Sequence, residues 1–261
     1  MTRVAVVTGA ARGIGAAVVD ALVGDGYAVV AMDRCRDVAE VPYSLASPAD
    51  LDAVVARHGD QALGLVGDVR SASDTRLAVE TATRHFGRLD VVVASAGVMA
   101  GGGPIWEVSD AAWDAVWSVN VLGTRRLIEA AAPVLIANGA HAHSRVVAVA
   151  SAAGTLGLWH LAAYSAAKHA VVGLIRAAAM DLAPYGVTAN CVSPGSTATA
   201  MLDASARVYG LPDAEAFASQ QPLGRLLAPS EVAAAVAWLC SPAASAVTGA
   251  NIAVDAGLSV P

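Results

Sequence analysis

The stretch Tyr164-Ser-Ala-Ala-Lys168 sets a phenol and an ammonium about one helical turn apart, on one face if the segment is helical. A free phenol titrates near about 10. A cation beside it stabilises the phenolate and lowers that value, which makes Tyr164 a candidate general base near neutral pH. A half-buried helix with a snorkelling lysine satisfies the same spacing, so the pair needs company. Ser151 supplies some, because it ends an apolar run in Val149-Ala-Ser-Ala-Ala-Gly154 and can hydrogen-bond a reacting oxygen. Asn120 supplies more. It sits in Ser118-Val-Asn-Val121 inside a long helical pattern, although asparagine is a poor helix former.

A second group of residues lies at the start of the chain. An apolar run leads into Thr8-Gly-Ala-Ala-Arg-Gly-Ile-Gly15, and a helical pattern follows. In a strand–turn–helix setting Gly9, Gly13 and Gly15 permit a tight turn and close backbone approach. The backbone around Arg12 and Ile14 then opens a helix whose free N–H groups suit a pyrophosphate. Asp33 ends the next apolar run, where a carboxylate accepts hydrogen bonds from the adenosine ribose and repels a 2′-phosphate, favouring NAD over NADP. Arg12 and Arg34 oppose that preference, since either side chain can in principle reach a 2′-phosphate.

These residues need a scaffold, and the chain alternates short apolar runs with longer amphipathic segments. The runs are 3–8, 28–32, 62–66, 89–94, 145–150, 187–192 and 251–254, each continuous, as expected of strands covered on both faces. Helices are expected over 13–23, 72–85, 111–138, 161–183 and 229–240. The alternation predicts one α/β domain over 1–261, a doubly wound, seven-stranded parallel sheet of the Rossmann kind. Segment 196–227 is the least regular and is a candidate substrate lid. With 261 residues, 56% hydrophobic content and a dispersed net charge of −6, neither a basic surface for nucleic acid nor an acidic tail is indicated. No apolar run spans a bilayer without a break, and no secretory signal opens the chain. Cys35, Cys191 and Cys240 are far apart, as in a reduced cytoplasmic protein. His141 and His143 have no acid or thiol nearby in sequence and are expected in a solvated loop, so no metal site is expected.

Taken together, the glycine turn and the Asn, Ser, Tyr and Lys residues resemble the short-chain dehydrogenase/reductase family over nearly the whole chain. The resemblance implies that Tyr164 is the acid/base and that Lys168 lowers its pKa and binds the nicotinamide ribose. It implies that Ser151 holds the substrate oxygen and that Asn120 holds a water of the proton relay. Asp68-Val69 is similar to the family's adenine contact. Pro194-Gly-Ser-Thr-Ala-Thr199 is similar to its nicotinamide-binding turn, which implicates Pro194, Gly195, Thr197 and Thr199. Val247-Thr-Gly249 and Val254-Asp-Ala-Gly257 resemble its final strand. Ala94-Ser-Ala-Gly97 departs from the family's Asn-Asn-Ala-Gly, which weakens side-chain roles at 94 and 95 but leaves the backbone at Ala96 and Gly97 available to the cofactor.

Residues 34–53 lengthen the connection after the ribose-binding acid. Ser47-Pro-Ala-Asp50 reads as a helix start, with an N-cap, a proline at the first position and an acid in the first turn. Val41-Pro-Tyr-Ser-Leu45 is therefore an ordered loop near the adenosine end of the cofactor, and its apolar residues favour packing over an idle insertion. The insertion resembles that of the mycofactocin-associated, carveol-dehydrogenase-like subgroup. That resemblance implies a covered, non-exchanging NAD recycled by an external acceptor. Two other readings stay open: an ordinary dehydrogenase with freely exchanging NAD(H), and a non-catalytic NAD-binding regulator. Met99, Trp106, Leu158, Trp159, His160, Met201 and Leu202 are candidate walls of a substrate pocket, for which a hydrophobic secondary alcohol or ketone is expected. Trp113 and Trp117, one turn apart, are expected in the helix core or at a subunit contact. The Ala-rich segments 111–138 and 161–183 carry apolar residues on more than one face, as expected for a homotetramer.

Overall fold

The computed structural model describes residues 2–139 and 143–260. Seven parallel strands form one sheet: β1 Val4–Thr8, β2 Ala28–Asp33, β3 Ala62–Val66, β4 Val91–Ala94, β5 Arg145–Val149, β6 Thr188–Pro194 and β7 Asn251–Val254. Their spatial order is β3-β2-β1-β4-β5-β6-β7, the expected doubly wound sheet. Its order reverses between β1 and β4, whose register runs from Ala5 beside Val91 to Thr8 beside Ala94. Ligands of such sheets bind where the strands on either side of that reversal end.

Helices α1 Gly13–Gly24, α2 Pro48–Ala56, α3 Ala72–Phe86, α4 Asp110–Trp117, α5 Gly123–Ala137, α6 Ala162–Leu182, α7 Ala200–Val208 and α8 Pro229–Cys240 carry the connections. Two apolar cores result, one on each face of the sheet. Alternate residues of one strand enter different cores: Val4 and Val6 face one, and Ala5 and Val7 the other. Burial on both faces holds for the inner strands but fails at the edges. β3 alternates buried and exposed residues, with Val66 58% exposed, and β7 is only partly covered. An edge strand lacks a neighbour on one side, so a continuous apolar run there does not guarantee two covered faces.

Two helical expectations are corrected. The segment 111–138 is not one α-helix, because a π-helical turn at Ser118–Leu122 separates α4 from α5. The Thr124 hydroxyl donates to the Asn120 carbonyl at 2.8 Å, and the Asn120 side chain turns away to the chain after β4. The segment 196–227 is not irregular: it contains α7 and a 3-10 turn, Ala214–Gln220. Its base is pinned by a parallel bridge between Thr197 and Leu227.

The helix start at Ser47 forms as read from the sequence. Ser47 Oγ accepts from the Asp50 N–H, and the Asp50 carboxylate accepts from the Ser47 N–H at 2.7 Å. This capping box anchors the far end of insertion 34–53. Among the described residues no helix is long and apolar enough to cross a membrane, and Cys35, Cys191 and Cys240 are buried free thiols. Trp113 and Trp117 pack partly buried against the core from α4.

Candidate active site

The turn after β1 is built on backbone contact. Gly9 has φ +67°, and a Cβ placed on it would stand 2.7 Å from Ala96 Cα. Gly15 is tighter still, because a Cβ there would stand 1.9 Å from the Gly9 carbonyl oxygen. Only glycine fits both positions, and α1 begins between them at Gly13 with its first N–H groups free for an anion.

From this turn a cavity of about 940 Å³ runs across the carboxyl ends of the strands. That is the upper end of ordinary ligand pockets, about 300–1,000 Å³, and suits a dinucleotide with a small second reactant. Gly9, Arg12, Gly13, Ile14, Gly15, Asp33, Asp68 and Val69 line one end. Ala96, Gly97, Ser151, Tyr164, Lys168, Pro194, Gly195, Thr197 and Thr199 line the part over β4, β5 and β6.

Asp33 accepts from the Ala11 N–H and the Cys35 N–H, both at 3.1 Å, one on each carboxylate oxygen. Each oxygen keeps a lone pair for a ribose hydroxyl. The two arginines that complicated the choice of cofactor are committed elsewhere. Arg12 Nη1 donates to the Ser44 carbonyl at 2.7 Å. Arg34 donates to Asp68 at 2.8 Å and to the carbonyls of Arg36 and Asp37. Both tie down the insertion instead of standing free for a 2′-phosphate. Burial alone would raise the Asp68 carboxyl, but the bonds from Arg70 and the charge of Arg34 leave it below its ordinary value.

The catalytic candidates come together. Lys168 is 4% exposed and donates from Nζ to the Val149 carbonyl at 2.9 Å, with Nζ 5.6 Å from the Tyr164 ring centre. Burial pushes its pKa down to about 8. Burial pushes the Tyr164 phenol up, and a side-chain hydrogen bond with Ser151 opposes that rise. Ser151 Oγ also accepts from the Ala153 N–H at 3.1 Å. Asn120 does not line the cavity. Its side chain pairs with the Val98 backbone, accepting at 2.8 Å and donating at 2.9 Å. A Cβ on Gly97 would meet both Asn120 Oδ1 at 3.3 Å and Lys168 Nζ at 3.4 Å, so these polar groups flank one backbone segment.

Of the candidate pocket walls, Met99, Leu158, Trp159, Met201 and Leu202 line the cavity. His160 and Trp106 do not. They border an adjoining hollow that shares Leu158 and Trp159 with the cavity, where Trp106 is 81% exposed and His160, at φ +60°, stacks on Trp159. His160 has no helical neighbour to turn it inward, since α6 begins after it. Of the histidine pair considered for metal, His141 lies outside the described residues. Among the described residues no three metal-ligating side chains cluster.

Sequence reasoning missed Ser205, Tyr209, Leu211, Phe217 and Gln220, which segment 196–227 lays over the cavity. α7 is amphipathic, but its pattern does not say that its apolar face meets a cavity. Sequence reasoning also missed the reach of Tyr43 from the insertion. Val38 and Leu45 do border the cavity, but Tyr43 does not stay at the adenosine end: its hydroxyl accepts from the Met99 N–H at 3.1 Å. The bond to Met99, 56 positions away in the chain, leaves no local pattern.

A doubly wound sheet with a glycine turn, a ribose-side acid and a Ser–Tyr–Lys cluster at one cavity defines a dinucleotide-dependent oxidoreductase. Comparison with known proteins agrees. A family model described as enoyl-(acyl carrier protein) reductase matches residues 9–259. An uncharacterised oxidoreductase of Mycobacterium tuberculosis is 38% identical, covering 98% of this chain and 95% of the relative. The cis-4-hydroxycyclohexanecarboxylate dehydrogenase of Sinomonas cyclohexanicum is 40% identical, with 98% and 96% covered. The crystal structure of carveol dehydrogenase from Mycobacterium avium in complex with NAD superposes with a TM-score of 0.94 at 29% identity, covering 99% of this chain and 98% of that one. The chain belongs to the short-chain dehydrogenase/reductase family.

The glycine contacts give a direct test of the dinucleotide end. Gly9→Ala drives a methyl group into the Ala96 backbone at a positive φ. It should abolish dinucleotide binding and lower stability by more than about 1 kcal/mol. Titration of the variant by nucleotide fluorescence, with denaturant unfolding alongside, checks both.

Proposed function

We propose that the protein is an NAD-dependent dehydrogenase that interconverts a neutral, largely apolar secondary alcohol and its ketone. The meeting of Ser151, Tyr164 and Lys168 at the end of a dinucleotide-shaped cavity carries this reading. NAD, when bound, supplies the nicotinamide that exchanges hydride with the carbinol carbon. In the oxidative direction Tyr164 Oη accepts the alcohol proton while Ser151 Oγ holds the same oxygen. Lys168, charged below about 8, supplies a cation beside the phenol and reaches towards the nicotinamide ribose. Asn120 fixes the Val98 backbone, and its role in a proton relay runs through that positioning. Asp33, with Arg12 and Arg34 committed to the insertion, supports NAD over NADP.

The substrate reading rests on the lining. Apart from Lys168, the charged side chains along the described cavity sit at its dinucleotide end, so a carboxylate substrate such as the Sinomonas relative's name implies would find no second cation. The insertion supports retention of NAD. Val38 is 4% exposed and Val41 7%, and uncovering each costs on the order of 1.5–3 kcal/mol. Two together slow opening by roughly 10²- to 10⁴-fold. A retained NAD needs an acceptor that reoxidises it in place, and mycofactocin fits that role. The buried thiols fit a reducing compartment such as the cytoplasm. Met180, 76% exposed on α6, and the partly exposed apolar face of α5 support a homotetramer.

Tyr164→Phe keeps the ring and removes the proton acceptor, so alcohol oxidation with an artificial electron acceptor should fall by about 10²- to 10⁴-fold with NAD still bound. The wild-type rate should rise with pH from neutral upward, because burial holds Tyr164 protonated. The residual rate of the variant should be flat. Near-wild-type turnover in the variant would remove Tyr164 from its role. Assembly is checked by light scattering, where a monomer at micromolar concentration would contradict the tetramer.

A further inference from the structure

The backbone leaving β4 is held from two sides. Asn120 grips Val98 by both its N–H and its carbonyl, and Gly97 lies against Asn120 and Lys168. From the other side Tyr43 accepts the Met99 N–H at 3.1 Å. Tyr43 packs against the small apolar cluster of Met99, Leu161 and Ala204, as Met201 does. Tyr43 comes from the insertion over the dinucleotide, and the neighbouring Ser44 carbonyl is held by Arg12 of the glycine turn at 2.7 Å. Arg12 also stands over the Tyr43 ring, 5.9 Å from its centre. The insertion cannot swing off the dinucleotide end at this point without pulling on Met99.

We propose that Tyr43 is a positioning residue for the alcohol pocket: through the Met99 N–H it joins the insertion over the dinucleotide and the Met99 wall of the substrate pocket into one unit that opens and closes together. This rests on the reading of the insertion as a cover for NAD. A ligand packed on Met99 then tightens dinucleotide binding by the same factor by which the dinucleotide tightens that ligand, because coupling between two sites is reciprocal.

The test compares the holoenzyme with Tyr43→Phe, which keeps the ring and removes the acceptor. Amide hydrogen exchange is followed at Met99 and at the insertion amides Val41 and Leu45, which bond Val38 and Asp37. All three should lose about two- to tenfold protection in the variant, the worth of one hydrogen bond, while Val98 keeps its protection. KM for cyclohexanol with an artificial electron acceptor should rise by a similar factor, and kcat should move less. Deprotected insertion amides with Met99 and KM unmoved would overturn the coupling, as would a change at Met99 alone. If the variant does not fold, sub-denaturing urea applied to the wild type decides. Release of Met99, Val41 and Leu45 in one step supports the unit, and separate steps overturn it. The exchange measurements need no turnover, so they decide the coupling even if cyclohexanol is not oxidised, an outcome that would count against the proposed function instead.

Discussion

The site depends on one close contact, the Gly9 backbone lying against Ala96 where β1 and β4 run side by side. Thr8 seals the contact, its hydroxyl accepting from the Ala96 N–H at 3.3 Å and donating to the Val93 carbonyl at 3.4 Å. Because the sheet reverses its order there, the chains that follow β1 and β4 depart to opposite faces and leave a crevice between them. The glycine turn forms one wall of that crevice, and the segment Gly97–Met99 forms the other. A side chain at Gly9 would force the two apart, and with them every group that either strand positions.

The insertion changes what that crevice is. In a bare doubly wound fold the crevice is open, and the arginines beside the ribose acid are free to meet a phosphate. Here Arg12 and Arg34 bond the insertion's backbone, and the insertion's own Val38, Val41 and Ala46 are buried. The same contacts that withdraw the arginines from a 2′-phosphate hold the insertion beside the cavity, where Val38, Leu45 and Ala46 line it. On the proposed function, cofactor preference and cofactor retention share one structural cause.

What could be read from the sequence was what local chemistry dictates. The inner strands, the glycine turn, the Ser47–Asp50 helix start and the Tyr–Lys spacing each follow from a few adjacent residues. What could not be read was set by partners distant in the chain. The π-helical turn carries Asn120, whose partner Val98 is distant in the chain, and the pattern of α7 does not disclose the cavity it borders. Val66 faces solvent because β3 is an edge, a fact of strand order and not of composition. Tyr43 was visible as an apolar residue in an insertion, but its reach to Met99 was not. Trp106 and His160 carried the right chemistry for a pocket wall and sit outside it, because the chain at those positions faces the neighbouring hollow.

The central claim is that this crevice holds its dinucleotide through many turnovers. The direct measurement is the exchange of bound NAD against isotopically labelled NAD, followed by mass spectrometry on the enzyme as purified while it oxidises an alcohol with an artificial acceptor. The account predicts that unlabelled NAD stays bound over many catalytic cycles. Replacement by the labelled dinucleotide at the rate of turnover would contradict it.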